Sequence, residues 1–270
     1  MYSKMITSMG CATLLLSALT FIACDAESNT WQAEWVEPEP PCRTSSEDNC
    51  EYGTLVDDRD GQTYKTVKIR DQWWMKENLR FRYVEPTSTL DSSSFCYNDT
   101  LQYCEMDGRL YLWSAAMDSA GVYSDNGKGC GYASECNHAD VVRGVCPLGW
   151  HLPSKEDWDI LMESTGIGSF GGEKLKAVTS WNRNGSSWNL TGTDDYSFSA
   201  YPVAPMFYLN GQYDYGRRIY YGNDAVYWST ASKDSLNSIA LILRSGDHHV
   251  SFGVYGFAKI NATPVRCLKD

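Results

Sequence analysis

The chain has 270 residues, 43% hydrophobic and 21% charged, a balance that fits a folded globular protein and excludes a disordered or fibrous one. Its formal charge of -11 argues against nucleic acid as a partner, because phosphate binding draws its free energy from clustered Lys and Arg. The rings are 18 Tyr and 10 Trp against 8 Phe, and such polar-tipped aromatics suit surfaces that bind sugars or proteins as well as a β-rich core.

The first residues read as an export signal. Lys4 is followed by the apolar run Ala12-Thr13-Leu14-Leu15-Leu16-Ser17-Ala18-Leu19 and then by small residues. Phe21-Ile22-Ala23-Cys24 resembles a lipobox, so residues 1–23 are expected to be a lipoprotein signal peptide and Cys24 to carry the lipid. Ordinary cleavage after Ala26 is the competing reading. No later stretch offers the ~18 consecutive apolar residues of a membrane span. The expected location is the cell envelope, at the outer membrane or cell surface, by the lipid anchor alone. Residues 24–41, with Glu34, Glu37, Pro38, Glu39, Pro40 and Pro41, are acidic and Pro-rich, and are expected to form an extended tether. Residues 42–270 contain no second linker and read as one domain.

Ten cysteines are present, and removing Cys11 with the signal and Cys24 to lipidation leaves eight. Cys42/Cys50, Cys96/Cys104 and Cys130/Cys136 are neighbours in sequence, and short loops close at little entropic cost, so pairing within each is the economical expectation. Cys146 and Cys267 stand apart. A metal site is the rival use of these thiols, but no C-x-x-C spacing occurs and His138, His151, His248 and His249 are scattered. Paired cysteines imply an oxidising compartment.

Within the domain, Tyr52-Gly53-Thr54-Leu55-Val56 and Thr63-Tyr64-Lys65-Thr66-Val67-Lys68-Ile69 have strand character, and Asp57-Asp58-Arg59-Asp60-Gly61 supplies a hairpin turn. That acidic run lacks the D-x-D-x-D-G order and late Glu of a calcium loop. Gln72-Trp73-Trp74-Met75 reads as a third strand. Trp113-Ser114-Ala115-Ala116-Met117 predicts a helix. A second helix starts at Pro153-Ser154, with Ser154 as cap and Asp157 three residues on, buries Trp158, Leu161 and Met162, and ends at Gly166. Short β-type runs follow at Ala225–Ser229, Ser238–Leu243 and Thr263–Cys267. The fold class is α+β, with short antiparallel sheets, two or three helices, long loops and disulfides.

The ordered blocks Asp58-Arg59-Asp60-Gly61-Gln62-Thr63-Tyr64-Lys65-Thr66-Val67, Trp74-Met75-Lys76-Glu77-Asn78-Leu79, Cys146-Pro147-Leu148-Gly149-Trp150-His151-Leu152-Pro153-Ser154, Tyr227-Trp228-Ser229-Thr230 and Val265-Arg266-Cys267-Leu268-Lys269-Asp270 resemble the Fibrobacter succinogenes major paralogous domain over about residues 52–270. Members are typically exported, often as lipoproteins, and largely without assigned activity. Where the family usually has LPGG, this chain has Tyr201-Pro202-Val203-Ala204. The WHLPS and VRC segments also resemble C-type-lectin-like domains and their formylglycine-generating relatives. That likeness implies a lectin-like fold and a Cys146–Cys267 bond. It does not extend to calcium-dependent sugar binding. Glu85-Pro86-Thr87 lies upstream of Cys146, and Trp181-Asn182-Arg183 and Trp188-Asn189-Leu190 lack the closing Asp that would join the ion's oxygen ligands.

No H-E-x-x-H, G-x-S-x-G or Walker sequence occurs, and formylglycine generation would need free reactive cysteines. Asp194-Asp195 reads as a solvated acidic pair and Ser245-Gly246-Asp247 before His248-His249 as a hairpin turn, so no catalytic residue, metal ligand or cofactor is assigned. The expected function is a non-catalytic binding or adhesion module for a polysaccharide or cell-surface protein. A structural surface coat is the alternative, and an enzyme of the formylglycine-generating fold a more distant one. The candidate surface is Tyr208, Asn210, Tyr213, Asp214, Tyr215, Tyr220, Tyr221 and Asn223, where rings alternate with amides and carboxylates that pair hydroxyl groups. The competing reading makes these rings a cover for the domain's own core.

Overall fold

In the computed structural model, which describes residues 37–86, 93–168, 170–181, 191–203, 205–209, 212–214, 224–245, 248–252 and 256–270, the end of the expected tether already touches the domain. Glu39 donates its backbone N–H to Ser164 O at 2.7 Å, and its own carbonyl accepts from the Tyr196 hydroxyl at 2.7 Å. Ser164 closes a helix whose last carbonyls have no partner within it, which explains why a Pro-rich segment settles there. The free spacer is therefore shorter than residues 24–41.

The Cys42–Cys50 disulfide leads into β1 (Glu51–Val56), β2 (Thr63–Ile69) and β3 (Gln72–Met75), an antiparallel meander. The turn after β1 is shaped by Asp57, whose N–H donates to Gln62 O at 2.8 Å and whose carbonyl accepts from Gly61 at 2.7 Å. Gly61 sits at φ +74°, a conformation open to glycine without steric cost. The Asp57 carboxylate is buried against Arg59 at 2.7 Å, so this acidic run folds around an internal ion pair.

Next come β4 (Ser94–Phe95), α1 (Leu101–Asp107), β5 (Leu110–Leu112) and the single turn α2 (Trp113–Ala116), all four of whose residues are buried. A long irregular stretch carrying the Cys130–Cys136 disulfide precedes β6 (Trp150–His151) and α3 (Lys155–Ser164). The capping box is present: Ser154 Oγ accepts from Asp157 N at 3.1 Å and Ser154 N donates to the Asp157 carboxylate at 2.8 Å. Trp158 and Leu161 are buried and Met162 packs at the core margin. The chain then forms β7 (Phe207–Leu209), β8 (Gln212–Asp214), β9 (Asp224–Ser232), β10 (Asn237–Arg244), β11 (Val250–Ser251), β12 (Gly256–Ala258), β13 (Ala262–Thr263) and β14 (Leu268–Lys269).

The strands form one five-stranded sheet ordered β1-β2-β3-β14-β6, a sheet in which β10 pairs β9, β11 and β12, a small sheet β13-β5-β4, and the hairpin β7-β8. All pairings between named strands are antiparallel. With three α-helices and four disulfides among the described residues, the class is α+β. The bonds are Cys42–Cys50, Cys96–Cys104, Cys130–Cys136 and Cys146–Cys267. The run Thr263–Cys267 is not one strand. Pro264 has no N–H for a ladder, and after β13 the backbone crosses to the first sheet, where Val265 O accepts from Leu79 N and Cys267 O from Met75 N at 2.9 and 3.1 Å.

Strand alternation divides the interior into two cores. Met75, Trp228 and Ala240 face one, with Trp113, Leu79 and the Cys146–Cys267 bond; Trp74, Tyr227 and Leu241 face the other, with Trp158 and Phe198. The Trp rings keep their polar tips satisfied: Trp113, Trp158 and Trp228 donate Nε1–H to Ser229, Trp228 and Tyr111 carbonyls at 2.9, 3.3 and 2.7 Å. Much of the aromatic surplus is spent here rather than on the surface.

Candidate functional site

The residues leaving β3 do not continue a strand. Lys76 Nζ donates to the Ser197 carbonyl at 3.0 Å and to its hydroxyl. Ser197 Oγ also lies 2.8 Å from the Tyr52 hydroxyl, which donates to Asp48. Burial holds the Lys76 ammonium below the ordinary lysine value, against the pull of the Asp194 carboxylate. Glu77 accepts from Lys65 N at 2.6 Å and lies 3.7 Å from Arg80, whose other nitrogens donate to Gln62 Oε1 and Thr63 O at 2.9 and 2.8 Å.

Beneath these side chains lies Arg266, 1% exposed. Its Nε donates to Asn78 Oδ1 at 2.9 Å, Nη2 to Ser199 O at 2.7 Å and Nη1 to Phe198 O. The guanidinium lies over the Phe198 and Tyr227 rings, 4.5 and 5.2 Å from their centroids. Asn78 turns its amide to Asp107 O at 2.8 Å. Gly108 follows at φ +85°, where an added Cβ would stand 2.4 Å from that of Asn78. Only glycine allows so close an approach.

Together these groups line an open cavity of about 330 Å³ with Met106 and Asp107 at the end of α1 and with Tyr201-Pro202-Val203. Tyr201 in this lining is 39% exposed. The Lys76, Glu77, Asn78, Arg80 and Arg266 side chains are each held by hydrogen bonds to the protein itself. In chemical terms the lining can present fixed charges and a ring face to a small polar ligand.

The tyrosine-rich candidate surface falls elsewhere, and its described members divide. Tyr208 and Tyr213 face each other across β7-β8 with centroids 4.9 Å apart. Tyr208 is partly exposed. Tyr213 packs on Phe95 at 5.7 Å against the first core; burial pushes its hydroxyl up to about 12, and that oxygen has no hydrogen-bond partner among the described residues. Asp214 is half-buried opposite Phe207. Asn210, Tyr215, Tyr220, Tyr221 and Asn223 lie outside the described residues, as does Cys24.

Other candidates resolve into local contacts. Asp194 is buried rather than solvated: it pairs with Arg43 at 2.8 Å and accepts from Ser199 N and Oγ, each at 2.6 Å. Burial raises its carboxyl value, with Ser199, Lys76 and Arg43 pulling it down. His248 Nδ1 lies 3.0 Å from Glu173 Oε2, and His249 meets the edge of Phe170 at 5.1 Å. Among the described residues no three His, Cys, Asp or Glu side chains are placed to hold a metal ion.

Much of the lining comes from the Trp74–Leu79 and Val265–Asp270 blocks. These are segments by which a domain family is recognised, joined here in an α+β unit whose last strand lies inside its first sheet. The profile of the Fibrobacter succinogenes major domain matches residues 67–269, and the chain belongs to that family. No curated protein and no solved structure matches it. The roles of Lys76, Asn78, Tyr201 and Arg266 are not apparent from local residue patterns, although three of the four stand inside recognisable blocks.

Proposed function

We propose that this protein is a non-catalytic binding or adhesion module of the bacterial cell envelope, anchored through a lipid on Cys24 and directed at glycans. The observation that carries this reading is the cavity, whose charged and amide groups are held in fixed directions by internal hydrogen bonds. Fixed donors and acceptors favour recognition, since little is lost in ordering them when a ligand arrives. An acid or base in catalysis needs instead a proton-transfer partner at the reacting atom. Tyr201 adds a partly exposed ring to the lining, of the kind that stacks on sugar faces.

A C-type-lectin-like fold is part of the same reading. It is supported by β14 lying between β3 and β6 and by a disulfide that ties Cys146, just before β6, to Cys267, just before β14.

Two measurements test this function. Full-length protein in detergent, screened on a cell-wall and plant polysaccharide array, is expected to be retained on a subset of glycans; retention on none contradicts the glycan reading. The Cys24→Ser variant is expected to leave the membrane fraction, and unchanged retention there contradicts the anchor.

A further inference from the structure

Building on the binding-module reading, we infer that the cavity receives the carboxylate of an acidic sugar, with Arg266 and Lys76 as its cationic partners. Arg266 is a buried cation with no carboxylate within ion-pair distance among the described residues. Its three bonds go to an amide and two carbonyls, all neutral. Isolated buried charge is costly, and natural structures pair it. The guanidinium also carries more N–H donors than three acceptors use.

The Asp194 and Glu77 carboxylates act on Arg266 only from beyond ion-pair distance. Asp194 makes its own short contacts with Arg43 and Ser199. Glu77 faces Arg80 and the Lys65 amide. The lining then holds three cations, Lys76, Arg80 and Arg266, against two acids, Glu77 and Asp107, in a protein of net charge -11. A local excess of positive charge in so acidic a chain selects for an anion. Planar guanidinium favours carboxylate, which it can meet through two parallel bonds.

Size and the remaining wall narrow the class. At about 330 Å³ the cavity lies at the small end of the roughly 300–1,000 Å³ range of ligand pockets, and so fits one end or one unit of a chain. The partly exposed Tyr201 ring in the lining is an apolar group that a pyranose can pack on and a simple inorganic anion would not use. A uronic-acid residue combines that face with a carboxylate.

The first measurement uses the protein unaltered. Full-length protein in detergent is titrated calorimetrically with a galacturonic-acid trimer, with the same trimer methyl-esterified, and with a neutral galactose trimer. The free acid is expected to bind at least tenfold more tightly than the ester, with the difference shrinking as salt rises. Lys76→Met should remove most of that difference and Lys76→Arg restore it, with melting temperatures recorded alongside. Equal binding of acid, ester and neutral trimer overturns the carboxylate inference while leaving a glycan-binding module. No binding of the acid, with glycans retained on the array, also overturns it and places recognition outside this cavity. Failure of every glycan in both assays overturns the binding-module reading as well.

Discussion

Arg266 shows how much one side chain can organise. It links Asn78, at the exit of β3, to the Phe198 and Ser199 carbonyls in a segment otherwise distant in sequence. Replacing it with Met leaves those three acceptors unpaired in the interior, and unsatisfied buried groups are costly. Arg266→Met should therefore lower stability by roughly 2–5 kcal/mol, read by urea unfolding. Arg266→Lys should recover little of the loss, because a single ammonium cannot reproduce the planar fork. Full recovery by Lys would show that charge alone matters. His151 is the second telling residue. Its Nδ1 lies 2.7 Å from Asp270 and its Nε2 3.5 Å from Asp157. Burial works to lower the His151 value, but the bonds and charges of both carboxylates outweigh it and raise it above 6.5. For Asp157, burial works upward, but His151 and Ser154 prevail and hold it below 3.8. The sign follows by linkage. The histidine's contribution is fully present below pH 6.5 and is lost as pH rises through its raised folded value. That of Asp157 is present above pH 3.8 and is lost as pH falls through its lowered folded value. Melting temperature should decline as pH rises above 6.5, and His151→Gln should flatten that decline; the same slope in the variant would contradict the assignment.

At the scale of elements, the structure explains what the sequence can and cannot disclose. β1, β2 and β3 are legible because alternating apolar residues and the Asp57–Gly61 turn carry both period and punctuation. α3 is legible through its capping box. α1 is not, because only Cys104 of its seven residues is buried, leaving no apolar stripe to read. The Cys96–Cys104 bond supplies a tie that periodicity would not reveal. Thr263–Cys267 looks like a strand because Val and Thr favour one, yet Pro264 prevents a continuous ladder. The tyrosine region holds an unused signal: Asn210-Gly211 stands between β7 and β8, and that dipeptide is the strongest short hairpin marker. Strand pairing puts Tyr208 and Tyr213 on the same face of the hairpin, and Tyr213 is the more buried of the two because it also packs on Phe95. Tyr213→Ala should lower stability by roughly 1–3 kcal/mol, less than the ~3–5 of a fully buried ring, while Tyr208→Ala should change it little. Equal small effects on chemical unfolding would mean that Tyr213 does not anchor the hairpin.

The whole molecule is joined by contacts that no local pattern announces. The last strand enters the first sheet, the Cys146–Cys267 bond spans a sequence separation of 121, and family blocks far apart in the chain meet around one cavity. Blocks can therefore be recognised in the sequence while the chemistry they share stays hidden until the chain is folded. The most direct test of the central claim, that recognition occurs at this cavity, is to take a polysaccharide that retains the wild type and compare Tyr201→Ala with Tyr208→Ala. Tyr201 is partly exposed, so its truncation should leave melting temperature nearly unchanged. The account predicts that Tyr201→Ala loses retention and Tyr208→Ala keeps it. Retention kept by Tyr201→Ala but lost by Tyr208→Ala would contradict the account and return the binding surface to the hairpin.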